Sequence, residues 1–174
     1  LNFHRGTEQK VHSDSLHFNC EPFGLMCGVW IALEDIGMDQ GPLVFYPGSN
    51  RLPEMNFPDI GLKAGDFKNF HSHIEHLLSE QALKPTYGVL KKGQAIIWAA
   101  NLLHGGFKQN DKSLSRHSQV NHFYFEDCKY WRPAFSKGER HYFNPDWITD
   151  EQPETAQSRL DPSKFFRRLF SSKS

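Results

Sequence analysis

Short apolar runs, each closed by a turn, set the rhythm of this chain. C-G-V-W-I-A-L (Cys27 to Leu33) is rich in β-branched and aromatic residues and ends in the turn-prone E-D-I-G-M-D-Q-G-P. L-V-F-Y (Leu43 to Tyr46) is stopped by P-G-S-N, and A-I-I-W-A-A (Ala95 to Ala100) follows the turn K-K-G. Q-V-N-H-F-Y-F (Gln119 to Phe125) alternates over its whole length. Several short strands separated by Gly and Pro predict a mainly β sandwich or barrel. Trp98, Phe123 and Phe125 read most simply as its core. One segment has a different period: N-F-H-S-H-I-E-H-L-L-S-E-Q-A-L-K-P (Asn69 to Pro85) places Ile74, Leu77, Leu78 and Leu83 on one side of a helix, with Pro85 as its stop.

Composition narrows the setting. At 174 residues the chain suits a single domain, and aromatic residues at 14% can fill a core although hydrophobic content is only 38%. Lys plus Arg equals Asp plus Glu at 20 each, which gives no sign of a nucleic-acid or anionic-membrane partner. The local exception is the end of the chain, where Arg159, Lys164, Arg167, Arg168 and Lys173 face only Asp161. We read a core over 1–135 and a C-terminal extension over 136–174: a solvated connector, D-E-Q-P-E-T-A-Q-S, then a basic terminal helix. Three cysteines without a C-x-x-C suit free thiols in a reducing, cytoplasmic compartment. No apolar run approaches the roughly 20 residues of a membrane span, and the opening L-N-F-H-R-G has no secretory character.

The candidate chemistry starts in V-H-S-D-S-L-H-F (Val11 to Phe18). In an extended strand, residues two apart share a face, so His12 and Asp14 offer an imidazole and a carboxylate to one point. A polar turn rich in histidine is the bland alternative. The best third ligand is His104 in N-L-L-H-G-G, just after the strongest strand. Two histidines and one carboxylate that leave positions open form the facial triad of non-haem Fe(II) oxygenases. Arg116, twelve residues past His104 at the start of the last alternating strand, offers a planar fork suited to a dicarboxylate co-substrate. His17 reads as a partly exposed polar contact rather than a ligand. His71, His73 and His76 read as a solvated helix face or lid rather than a zinc site. His122 and Tyr124 share the parity of Arg116, and both cavity and packing roles fit them.

Five segments in order, R-G-T-E-Q-K-V-H-S-D-S-L-H-F, G-V-W-I-A-L-E-D-I, G-P-L-V-F-Y-P-G-S-N, I-I-W-A-A-N-L-L-H-G-G and S-R-H-S-Q-V-N-H-F-Y-F, resemble the phytanoyl-CoA dioxygenase family of Fe(II)/2-oxoglutarate oxygenases. The resemblance implies a double-stranded β-helix, a jelly-roll or cupin-like barrel with a few flanking helices. It implies iron held by His12, Asp14 and His104, 2-oxoglutarate anchored by Arg116, and Trp30 beside the co-substrate. The implied reaction consumes O2 and 2-oxoglutarate, releases succinate and CO2, and hydroxylates a small organic substrate. With Asp14 present, hydroxylation is favoured over halogenation.

The chain departs from the family pattern at Asn50, where a histidine is usual, at Gly106, where many relatives carry serine, and in the slightly late position of Arg116. Only eleven residues precede His12, against a long segment in relatives, so the N-terminal part of the family domain is expected to be missing. A monomer or weak homodimer is expected. Two other readings compete: a non-catalytic β-helix module that binds a metal or ligand, and a cupin-like metal isomerase, which has no use for Arg116.

Overall fold

The structure, a computed structural model, describes residues 2–136 and 140–144. Two four-stranded antiparallel sheets form its frame. The first runs in the order β1 (Asn2–Phe3), β9 (Ser118–Tyr124), β4 (Met26–Ala32), β7 (Ala95–Ala99). The second runs β2 (Gln9–His12), β8 (His104–Gly106), β5 (Leu43–Phe45), β6 (Thr86–Tyr87). A smaller sheet joins β11 (Tyr142–Phe143), β10 (Lys129–Trp131) and β3 (Asn19–Glu21). The eight strands of the two larger sheets make the expected double-stranded β-helix, and each predicted strand lies within a residue of its place. The expected basic terminal helix lies outside the described residues.

Alternation explains the main sheet. Along β4, Met26, Gly28, Trp30 and Ala32 are buried while the residues between them are half-exposed. Trp30 and Ala32 meet Leu43 from the second sheet and Trp98 from β7, with Val120 and Phe45 packed against them, so this cluster joins the two sheets. Burying each such large side chain contributes about 1.5–3 kcal/mol. Phe123 and Phe125 do not join the core as expected. Both are 52% exposed. Phe123 pairs with Cys27 in register, on the face opposite Trp30 and Trp98, so the same alternation that buries its neighbours turns it outward.

The helix α1 (Phe67–Glu80) starts two residues before its predicted place because Asp66 caps it, accepting a hydrogen bond from the Asn69 amide at 3.3 Å. It also ends earlier than Pro85. Ala82 takes a left-handed φ of 50°, and the Leu83 and Ala82 amides close onto the Leu78 and Ser79 carbonyls. That Schellman closure stops the helix before proline is reached. Phe70, Ile74 and Leu78 are its buried stripe, against Leu16, Phe57 and Leu103.

One irregularity matters for the site. Gln9 pairs with Gly106 and His12 with His104, so β2 carries one more residue than β8 over that span and is bulged.

Candidate metal centre

His12 ends β2, and Asp14 does not continue the strand as expected. It opens a 3-10 turn, Asp14–Leu16, in which the Ser13 side chain accepts from the Ser15 amide at 3.2 Å. The S-D-S sequence is an N-cap signal, and it overrides the extended reading because a capped turn satisfies the buried amide. Ser13 Oγ and the Ser15 amide are also both held by the Ala100 carbonyl, at 3.2 and 3.0 Å. His12 and Asp14 still converge, through the turn rather than through strand parity.

His104 enters from β8, directly across from His12. Its Nδ1–H donates to the Leu102 carbonyl at 2.9 Å, and His12 Nδ1–H donates to the Lys10 carbonyl at 2.8 Å. A carbonyl only accepts, so both rings carry their proton on Nδ1 and present a bare Nε2. These two Nε2 atoms lie 3.8 and 3.6 Å from Asp14 Oδ1. That spacing is too wide for a hydrogen bond and suits three ligands around one ion. The three form the one such group of histidine, cysteine and carboxylate side chains among the described residues, and their ligand atoms all lie within 4.8 Å of one another.

Charge favours ligation. Burial pushes Asp14 up, but the nearby His104, the hydrogen bond from His122 and the neighbouring His12 outweigh it and hold the carboxyl well below its ordinary range. Burial pushes His104 down, against the pull of Asp14, which keeps the imidazole neutral and free to bind a metal.

The centre opens into a cavity of about 460 Å³ whose wall includes Phe3, His17, Phe18, Phe67, His71 and His122. His17 stacks on Phe67, with ring centres 5.9 Å apart, and stands edge-on to His12. It belongs to the cavity, not to the ligand cluster. Of the three helix histidines only His71 reaches this wall, with Nδ1 3.3 Å from the Val11 carbonyl, while His76 faces solvent beside Glu80.

Arg116 is buried but is not on the wall. Nη1 donates to the Gly41 carbonyl at 2.5 Å, Nη2 to Thr7 Oγ1 at 3.3 Å, and the Phe3 ring lies 5.7 Å from Cζ. Its Nε, and Ser118 Oγ two residues on, are buried without a protein partner. Trp30 is 2% exposed and sits in the inter-sheet cluster, behind Leu43 and Trp98 of the wall. Gly106 faces the Thr7 backbone so closely that any side chain there would run into the Thr7 carbonyl, which accounts for the missing serine.

Trp98 is core, as expected, and more than core. Its ring is buried, yet its Nε1–H donates to Asp14 Oδ2 at 2.8 Å. His122 Nε2 reaches the same oxygen at 3.1 Å, which resolves the alternative left open for it. Tyr124 turns instead toward Tyr130, with ring centres 4.3 Å apart.

Comparison with known proteins decides the family. Residues 2–118 match the family model described as Phytanoyl-CoA dioxygenase (PhyH). The chain belongs to this family. It is 28% identical over 137 residues to phytanoyl-CoA dioxygenase domain-containing protein 1 of Danio rerio, covering 74% of this chain and 43% of that protein. It is 29% identical over 122 residues to peroxisomal phytanoyl-CoA dioxygenase of Homo sapiens, covering 69% of this chain and 34% of that one. The chain thus spans less than half the length of these curated relatives. Among solved structures, the non-heme alpha ketoglutarate dependent carbocyclase SnoK aligns at a TM-score of 0.59 and 15% identity, over 79% of this chain and 52% of its own. The epimerase SnoN, in complex with Fe3+, alpha ketoglutarate and nogalamycin RO, aligns at 0.56 and 23% identity, over 76% and 47%. Both bear out the fold. The family brings with it iron and 2-oxoglutarate as cofactors, and the donor set of the centre suits them. No helix among the described residues is long and apolar enough to cross a membrane.

Proposed function

We propose that this chain is the β-helix part of an Fe(II)- and 2-oxoglutarate-dependent dioxygenase that hydroxylates a small organic substrate. The observation that carries the reading is the pair of histidines whose Nδ1–H groups are tied to carbonyls while both bare Nε2 atoms surround Asp14 Oδ1. Two neutral imidazoles and one carboxylate suit ferrous iron and leave room for exchangeable ligands. Bound iron and 2-oxoglutarate supply the oxidising chemistry, with O2 consumed and succinate and CO2 released.

The protein's own part is positioning. His12, Asp14 and His104 hold the metal. Arg116 anchors the distal carboxylate of 2-oxoglutarate, a role supported by the partnerless buried Nε and by Ser118 Oγ on the same side of the strand. Trp30 supports the co-substrate wall from behind Leu43 and Trp98. Phe18, Phe67 and His17 line the open side, where apolar rings would hold a substrate and keep bulk water from the centre. All three cysteines are unpaired, which supports a reducing, cytoplasmic setting.

Anaerobic titration with Fe(II) and then 2-oxoglutarate tests the reading. A weak visible charge-transfer band, followed by succinate release on admitting O2, is expected. A protein that binds neither ligand sinks it, and one that gives the band without succinate is the non-catalytic binding module instead.

A further inference from the structure

Asp14 Oδ2, the oxygen turned away from the two bare imidazole nitrogens, receives two donors at once. Trp98 Nε1 is 2.8 Å away and can only donate. His122 Nε2 is 3.1 Å away, and since a carboxylate only accepts, it too carries its proton toward Asp14. Both donors come from the main sheet, on the two strands that flank β4. In register, Gly28 of β4 pairs with Trp98 on one side and His122 on the other, so the three form one row across three strands. Gly28 is the reason the row works. A side chain there would run into the Trp98 indole, which lies flat over the glycine to reach Asp14. His122 is steadied from its other face by the Phe18 ring, with ring centres 4.8 Å apart.

We propose that His122 and Trp98 are positioning residues that clamp Asp14 so that it ligates through Oδ1 alone. The inference rests on the iron-site reading above and adds a constraint to it. A carboxylate with both oxygens free can swing to grip a metal with two atoms and use up a position that an exchangeable ligand needs. Two donors fixed in a sheet forbid that swing. Ligand-orienting partners of this kind are typically worth about 10–100-fold in metal affinity.

Co(II), a spectroscopic stand-in for Fe(II), added to the full chain without 2-oxoglutarate provides the test. Trp98→Phe keeps the ring and removes the N–H; His122→Leu removes the other donor; His122→Gln keeps an N–H near the place of Nε2. Each deletion is expected to weaken Co(II) binding about 10-fold or more and to change the intensity of the visible d–d bands, with His122→Gln returning both to within about threefold of wild type. Wild-type affinity and an unchanged spectrum in Trp98→Phe and His122→Leu would overturn the clamp while leaving the iron site standing. A wild-type chain that takes up no Co(II) would overturn both. A weakened His122→Gln with a spectrum like that of His122→Leu would show bulk rather than the donated proton to matter, and would also overturn it.

Discussion

Both faces of the main sheet depart from the usual pattern: beside the buried Met26, Trp30 and Ala32, polar groups turn inward, and large apolar side chains turn outward. Its inner face presents Ser118, His122 and Trp98, with Arg116 just before the strand, all buried or nearly so. Its outer face presents Val29, Ile97, Cys27 and Phe123, with Ile97 70% exposed. A sheet that only had to be stable would bury the second set and wet the first. Here polar groups are buried around the candidate site, and most are held there by partners: Asp14 by two donors, both imidazoles by carbonyls, Arg116 by Gly41 and Thr7, while Arg116 Nε and Ser118 Oγ have no protein partner. Polarity therefore marks the functional face, and hydrophobicity alone does not mark the core.

The sharpest way to break this comparison is on the inner face. Asp14→Ala and His104→Ala are each expected to weaken Fe(II) binding by more than about 100-fold, read by anaerobic titration, and to reduce succinate release to background. Next comes a paired stability test. Trp30→Ala should cost about 3–5 kcal/mol in urea unfolding, because it empties the inter-sheet cluster, whereas Ile97→Ala on the outer face should stay within about 0.5 kcal/mol. Similar losses at both positions would show the outer face to be core after all.

A smaller effect is expected from His17 on the cavity wall. Burial first, and then the neighbouring His12, push its imidazole down to about 4. Its folded value is below the ordinary 6.5, so its contribution to stability is complete above pH 6.5 and is lost as pH falls toward 4. His17→Phe should flatten that part of the pH–stability curve of the metal-free protein. The mildest contrast is between thiols. Burial, then the neighbouring Cys128, push Cys20 up to about 11, while Cys27 lies half-exposed on the outer face. Iodoacetamide at neutral pH should label Cys27 well before Cys20, as mapped by mass spectrometry.

What could be seen from the sequence follows the same division. The strands were legible because alternation and turn residues are local signals, and so was the convergence of His12, Asp14 and His104, whose side-chain chemistry is rare in combination. Phe123 and Phe125 were misplaced because parity says which residues share a face but not which face is inside. The 3-10 turn at Asp14 was written in S-D-S, yet the strand period before it masked the cap. Trp98 and His122 as donors to Asp14 were not legible at all, since their meeting depends on β9, β4 and β7 lying side by side across nearly a hundred residues of chain. Only Gly28, a glycine inside an otherwise bulky strand, hinted that something must lie flat against it.

The bulge in β2 acts as a change of reading frame. If the pairing that joins Gln9 to Gly106 ran on without it, Val11 would stand opposite His104 and His12 would be carried one place past it. The extra residue instead sends Val11 to the packing around α1 and hands the cavity an imidazole. One third of the proposed ligand set is thus encoded as a count of backbone units, silent to any comparison of side chains, and a chain with all three residues intact but that count altered would turn valine toward the candidate centre.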